Sequence, residues 1–271
     1  MKRSWMYGVV AGWLWMAGAA QANLVFAVNE GVTYRVPPDE IRKRYAAIST
    51  DLSKLLNQTV TVEPIGDYRT LRQGLADKSY DLALVHPAHL SISAIKGSGY
   101  RLVAVTKGYT EYRASFLVNA DAPLKSLADL RGKKLGAPEE DSITSWMVRA
   151  TLRDALGAAD QVGYVYTRYQ DAVPFFVENR LTPAGATASS AVIKAWEAKG
   201  GKILARSKPV PIKHVISSPN VAAGDADKVR EYLLALDASE DGRRKLEPTK
   251  YQGFVAYDVD ALLELGRWLG L

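Results

Sequence analysis

Three hydroxyls, Ser142, Thr144 and Ser145, fall within one turn of the stretch "GAPEEDSITSWM", directly ahead of an amphipathic helical pattern. A helix N-terminus carries unpaired backbone N–H groups and partial positive charge, so hydroxyls placed there add donors to an end that already attracts anions. Asp141 or Ser142 is equally suited to cap the helix, and Ser142 can cap and bind at once. Glu139, Glu140 and Asp141 oppose a plain anion site. Either they face solvent, or one of them, Asp141 in particular, accepts a hydrogen bond from a protonated ligand oxygen. That second arrangement selects: a hydrogen phosphate or hydrogen phosphonate can donate the proton, whereas sulfate leaves a buried acceptor unpaired.

Other chemistries find less support. His86 and His89, three apart in "HPAH", could share a metal ion, but no Cys and no obvious third ligand accompanies them. No metal and no cofactor is therefore expected. A G-x-S-x-G elbow and a P-loop are both missing, and "GSGYRLVAV" holds only the first two glycines of a dinucleotide fingerprint and precedes a strand. The chain is expected not to be an enzyme.

The elements that must position these residues alternate. "LVFAV", "VTVEPI", "DLALVH" and "RLVAVT" read as strands, separated by helical patterns in "PPDEIRKRYAAISTDLSKLL", "YRTLRQGLADKSY" and "PAHLSISAIK". A second series follows "YRASFLVN": strands "KKLGAP", "QVGYVYT", "AGATA" and "KILAR", and helices "SITSWMVRATLRDAL", "YQDAVPFFVENR" with an internal Pro174, and "SAVIKAWEAKG". Such alternation predicts an α/β fold with mainly parallel sheets flanked by helices. From "KHVISSPNVAA" the chain is chiefly helical, with too few strands for a sheet of its own, so its helices are expected to return to the first unit. The expected division is residues 23–110 for the first part of lobe 1, 111–209 for lobe 2 and 210–271 for the return to lobe 1. The crossings then lie near Gly108 to Tyr112 and Pro209 to Lys213.

Met1 to Ala22 has basic Lys2 and Arg3, an apolar run and the exit Ala20-Gln21-Ala22, which predicts a signal peptide over residues 1–22. With no Cys there is no disulfide framework and no site for a lipid anchor, so an exported, unlipidated protein of a periplasm is expected. The formal net charge of +6 falls to +4 once Lys2 and Arg3 are removed (6 − 2), and the basic residues are scattered rather than striped, so no nucleic-acid partner is expected.

"DYRTLRQGLADKSYDLALVHPAHL", "SLADLRGKKLGAPEEDSITSWM" and "SKPVPIKHVISS" resemble, in order and spacing, the periplasmic solute-binding proteins for phosphate, phosphite and phosphonates. The resemblance implies a type II periplasmic binding fold: two α/β lobes, two crossover strands, and a cleft that closes on a small oxyanion. It implies delivery to an inner-membrane ABC permease, or alternatively signalling to a sensor kinase, with a sulfur or arsenic oxyanion as the alternative ligand; a monomer is expected. By position it also implies ligand contacts from Tyr68 and Arg168. His86 stands at a strand end where the family has Tyr-Gly, at the sheet edge where open α/β sheets bind ligands. Lys213 and His214 fall where aminophosphonate binders carry an Asp, and Ser189 about where they carry a Glu, which argues against an aminoalkylphosphonate. The expected ligand set is thus Tyr68, His86, Ser142, Thr144, Ser145, Arg168 and Lys213.

Overall fold

The computed structural model describes residues 23–31 and 36–271; the expected signal peptide lies outside the described residues. Two sheets organise the chain. Strands β1 (Asn23–Val28), β2 (Thr59–Pro64), β3 (Leu82–Val85) and β4 (Arg101–Thr106) alternate with helices α1 (Pro38–Leu56), α2 (Tyr68–Ala76) and α3 (Ala88–Ser98). They join β10 (His214–Ser217) and β11 (Phe254–Val255) in a six-stranded sheet of order β11-β4-β10-β3-β1-β2. β1 pairs in parallel with β2 and β3, while β10 runs antiparallel between β3 and β4. The late strand therefore fills a place that consecutive reading assigns to a β3–β4 neighbour pair. β3 and β10 are buried at every residue, as central strands covered on both faces must be.

The second sheet has order β7-β6-β8-β5-β9, from β5 (Ser115–Val118), β6 (Lys134–Pro138), β7 (Gly163–Thr167), β8 (Ala184–Thr187) and β9 (Lys202–Arg206). β6 is parallel to β7 and β8, and β5 is antiparallel to β8 and β9. Helices α4 (Ile143–Leu156), α5 (Val173–Glu178) and α6 (Ser190–Ala198) flank it. Both sheets are mixed, and the two-lobe α/β architecture is as expected. The connectors between the lobes pair with each other: Val210 N–H donates to the Tyr112 carbonyl at 2.9 Å and Ile212 N–H to that of Tyr109 at 3.1 Å.

Local sequence explains the helices. On α1 the buried residues Ile41, Tyr45, Ile48, Leu52 and Leu56 recur every three or four positions, forming one stripe against Phe26, Val28 and Leu84. Full burial of one such side chain is worth about 1.5–3 kcal/mol. Asn57 ends the helix in the left-handed region at φ 51°. α2 stops at Ala76 rather than running to Tyr80, because Tyr80 folds back onto Gly74, where an added Cβ would lie 2.2 Å from its ring. The helix expected over "YQDAVPFFVENR" begins only at Val173, so Pro174 sits in its first turn, where the missing N–H breaks no helical bond.

The C-terminal helices divide. α7 (Ala223–Ala235) and α8 (Glu240–Leu246) bury Val229, Leu233 and Leu246 in the core of the first lobe. α9 (Val259–Leu269) lies across both lobes, against α3 and α4, with Leu262 and Leu269 in a cluster shared by Ile92 of α3 and Val148 and Leu152 of α4. Lys96 bonds the Leu271 carbonyl at 2.5 Å, Arg153 bonds that of Trp268, and Trp268 Nε1 donates to Asp154 at 2.8 Å. The return to lobe 1 thus ends in a strap over the hinge side.

Candidate functional site

Between the lobes lies a cleft of about 810 Å³, walled by Asp67, Tyr68, Arg69 and Arg72 from the first lobe and by Glu139, Glu140, Asp141, Tyr166 and Arg168 from the second. The first wall is the start of α2. Asp67 caps it in extended conformation, accepting from the Thr70 N–H at 2.8 Å and from its hydroxyl at 2.8 Å, and these bonds hold its carboxyl below the ordinary carboxylate range. The cap fixes the direction in which Tyr68, Arg69 and Arg72 leave the helix.

The second wall is the β6–α4 turn. Ser142 is the N-cap of α4 and accepts from the Ser145 N–H at 3.2 Å. The Ser145 hydroxyl donates to the Pro138 carbonyl at 2.9 Å, and Ser145 is 1% exposed. Thr144, also 1% exposed, has its Oγ1 3.2 Å from the Tyr112 hydroxyl, to which Gln170 Nε2 donates at 3.0 Å. Gln170 Oε1 in turn accepts from Thr187 and from the Ala188 N–H. The three hydroxyls are therefore built into the fold of their own lobe, and the capping role of Ser142 is realised.

Asp141 bridges the lobes. Its Oδ2 accepts from Arg72 at 2.8 Å and its Oδ1 from Trp146 Nε1 at 3.3 Å. His89 Nε2 stands 3.4 Å from Oδ1, and its ring stacks on Trp146 at 5.3 Å and 25°. His89, the Arg72 guanidinium and the indole N–H hold the Asp141 carboxyl far below its ordinary range despite partial burial. Burial pushes the His89 imidazole down, against the opposing pull of the Asp141 carboxylate.

Of the expected ligand set, the structure brings Tyr68 and Arg168 to opposite walls of the cleft, with Asp141 on the wall of Arg168. Ser142 is next to that wall, and Thr144 and Ser145 point inward. His86 and Lys213 are not on the walls. Shielding of its ring nitrogens, with the nearby Lys213 charge, pushes His86 down to about 3, and its Nδ1 lies 3.1 Å from the Ile212 carbonyl. Lys213 sits between Tyr109 and Tyr251, with Nζ 4.4 and 4.7 Å from their ring centroids, and burial lowers it to about 8. Ser189 caps α6, and His214 is fully buried in β10. No group of three His, Asp or Glu among the described residues could hold a metal ion.

Arg69, Arg72 and Tyr166 also line the cleft, beyond the residues expected from the sequence. The signal for the first pair was present in "DYRTLR": two arginines three apart at a capped helix start share a face. Arg168 lies over Tyr169 at 5.4 Å, and Arg69 lies near Asp67, whose carboxyl its charge helps to lower. The cleft can thus offer two guanidiniums from opposite lobes, the donor geometry that suits tetrahedral oxyanions.

The profile of a family described as ABC transporter, phosphonate, periplasmic substrate-binding protein matches residues 31–262. Among solved structures, a Xanthomonas citri protein bound to ATP superposes with a TM-score of 0.73 at 16% identity, covering 92% of this chain and 97% of that one. PhnD1 of Prochlorococcus marinus in complex with methylphosphonate gives 0.62 at 17% identity, covering 92% and 98%. A binding protein component of an ABC phosphonate transporter from Pseudomonas aeruginosa gives 0.58 at 17%, covering 92% and 86%. At such identities the structural likeness establishes the fold.

Proposed function

Because the chain belongs to the periplasmic substrate-binding family of phosphonate ABC transporters, we propose that it captures a phosphorus oxyanion, a phosphate or phosphonate, in the interlobe cleft and presents it to a membrane permease. One observation carries the reading: Arg69 and Arg72 from one lobe and Arg168 from the other face the same cleft. A tetrahedral anion between the lobes accepts charge-assisted hydrogen bonds from both, so its binding favours closure. Tyr68, at the capped start of α2, supplies an aromatic wall. The walls are mixed in sign, so capture rests on local bidentate contacts rather than on a net positive field. The ligands in the solved relatives, methylphosphonate and ATP, share this tetrahedral phosphorus chemistry.

The test is a thermal-shift panel on the mature protein, stripped of carried-over ligand by unfolding and refolding. Phosphate, phosphite, methylphosphonate, aminoethylphosphonate, phenylphosphonate, AMP, sulfate, thiosulfate and arsenate form the panel. Ligand at a hundred times its dissociation constant stabilises by about 2.7 kcal/mol. A shift confined to phosphorus compounds, and lost in Arg168→Ala, is expected; a folded protein indifferent to all of them refutes the reading.

A further inference from the structure

The donors gathered at the start of α4 already hold an anion, and it belongs to the chain. Arg72 Nη2 at 2.8 Å, Trp146 Nε1 at 3.3 Å and the His89 ring at 3.4 Å converge on the Asp141 carboxylate from two lobes. His89 is 2% exposed, and apart from Asp141 neither of its ring nitrogens has a polar partner among the described residues, so a buried polar ring is aimed at this carboxylate alone. The hydroxyls that would complete a seat for a free oxyanion are engaged elsewhere: Ser145 with Pro138, Thr144 with Tyr112, Ser142 with the helix end.

We propose that Asp141 is a resident anion and a specificity-determining residue: its carboxylate fills the oxyanion seat formed by Arg72, His89, Trp146 and the α4 start, and so excludes a small bare oxyanion from it. This rests on the reading that the cleft binds phosphorus oxyanions. The consequence concerns ligand class. A second anion beside the fixed carboxylate would meet like charge at close range in a partly desolvated site, where repulsion exceeds its value in water. The natural ligand is then held in the outer cleft by Arg69 and Arg168, where about 810 Å³ leaves room for an organic substituent on the phosphorus group.

Isothermal titration of phosphate, methylphosphonate and phenylphosphonate into wild type, Asp141→Ala and Asp141→Asn tests this. Expected is a gain of tenfold or more in affinity for phosphate and methylphosphonate in Asp141→Ala, a smaller gain in Asp141→Asn, whose amide still fills the space, and little change for phenylphosphonate. The isosteric Asn variant keeps the test valid if the Ala variant folds poorly, and ligand-free melting identifies that case. If wild type binds phosphorus compounds but neither variant gains for the small ions, or both lose affinity, Asp141 is not a resident anion and the cleft reading stands alone. If no phosphorus compound binds wild type or variants, both ideas fall together.

Discussion

Lowering the pH should destabilise this protein well before its carboxylates titrate. His214 is fully buried in β10, with Nδ1 2.5 Å from the Ser91 hydroxyl and Nε2 3.0 Å from the Pro211 carbonyl, and burial lowers it to about 4. His86 is pushed further, to about 3. An unfolded histidine titrates near 6.5, so below that pH the unfolded chain binds protons that the native state refuses. A folded-state value depressed below the unfolded one gives stability that is present above pH 6.5 and is lost as pH falls, down to about 4 for His214 and about 3 for His86. Each group contributes a slope approaching about 1.4 kcal/mol per pH unit, so the two together remove about 5 kcal/mol between pH 6.5 and 4.5. That is comparable with the whole stability of an ordinary domain. Urea unfolding by fluorescence from pH 7.5 to 4.5 reads it directly, and His214→Asn should cut the slope by about one proton. Stability that stays level from pH 6.5 to 4.5 would refute the argument that these rings are held neutral by burial.

Three further outcomes follow from packing and charge. Gly266 lies on α9 where an added Cβ would stand 2.6 Å from Ile92 Cγ2, so Gly266→Ala should cost about 1–3 kcal/mol by overpacking, measured by urea unfolding; a neutral effect would mean that α9 can shift on α3. The His89–Trp146 stack and the Arg72–Asp141 pair, whose side chains are 54% and 40% exposed, together favour this approach of the two lobes by about 1–2.5 kcal/mol. The chain has no Cys, so spin labels on cysteines placed at Lys43 and Lys194 should report a longer interlobe distance in ligand-free Trp146→Ala; an unchanged distribution removes the stack from the account. Lys213 is lowered to about 8 by burial, a cost larger than two cation–π contacts return, so Lys213→Met should raise ligand-free stability at pH 7 by about 1–2 kcal/mol; destabilisation would mean the Tyr109–Tyr251 cage outweighs burial.

How much of this was legible in the sequence depended on the reach of each interaction. The stripe on α1 and the cap at Ser142 are settled within a few residues, and their periodicity or residue type announces them. β10 could be read as an apolar run, but its place between β3 and β4 depends on a chain that has first built a second lobe. The candidate site lies at the far end of that scale. The hydroxyl of Ser145 looks like a free donor until the turn brings the Pro138 carbonyl to 2.9 Å. Asp141 looks like an obstacle to anion binding until Arg72, 69 residues earlier, and His89 arrive from the opposite lobe. A carboxylate ahead of a helix is an ordinary cap signal, and only the convergence of donors from two lobes turns it into an occupant. The residue types pointed to an anion site; whether the anion is supplied by solution or by the chain depends on which long-range donors the fold brings within about 3.5 Å.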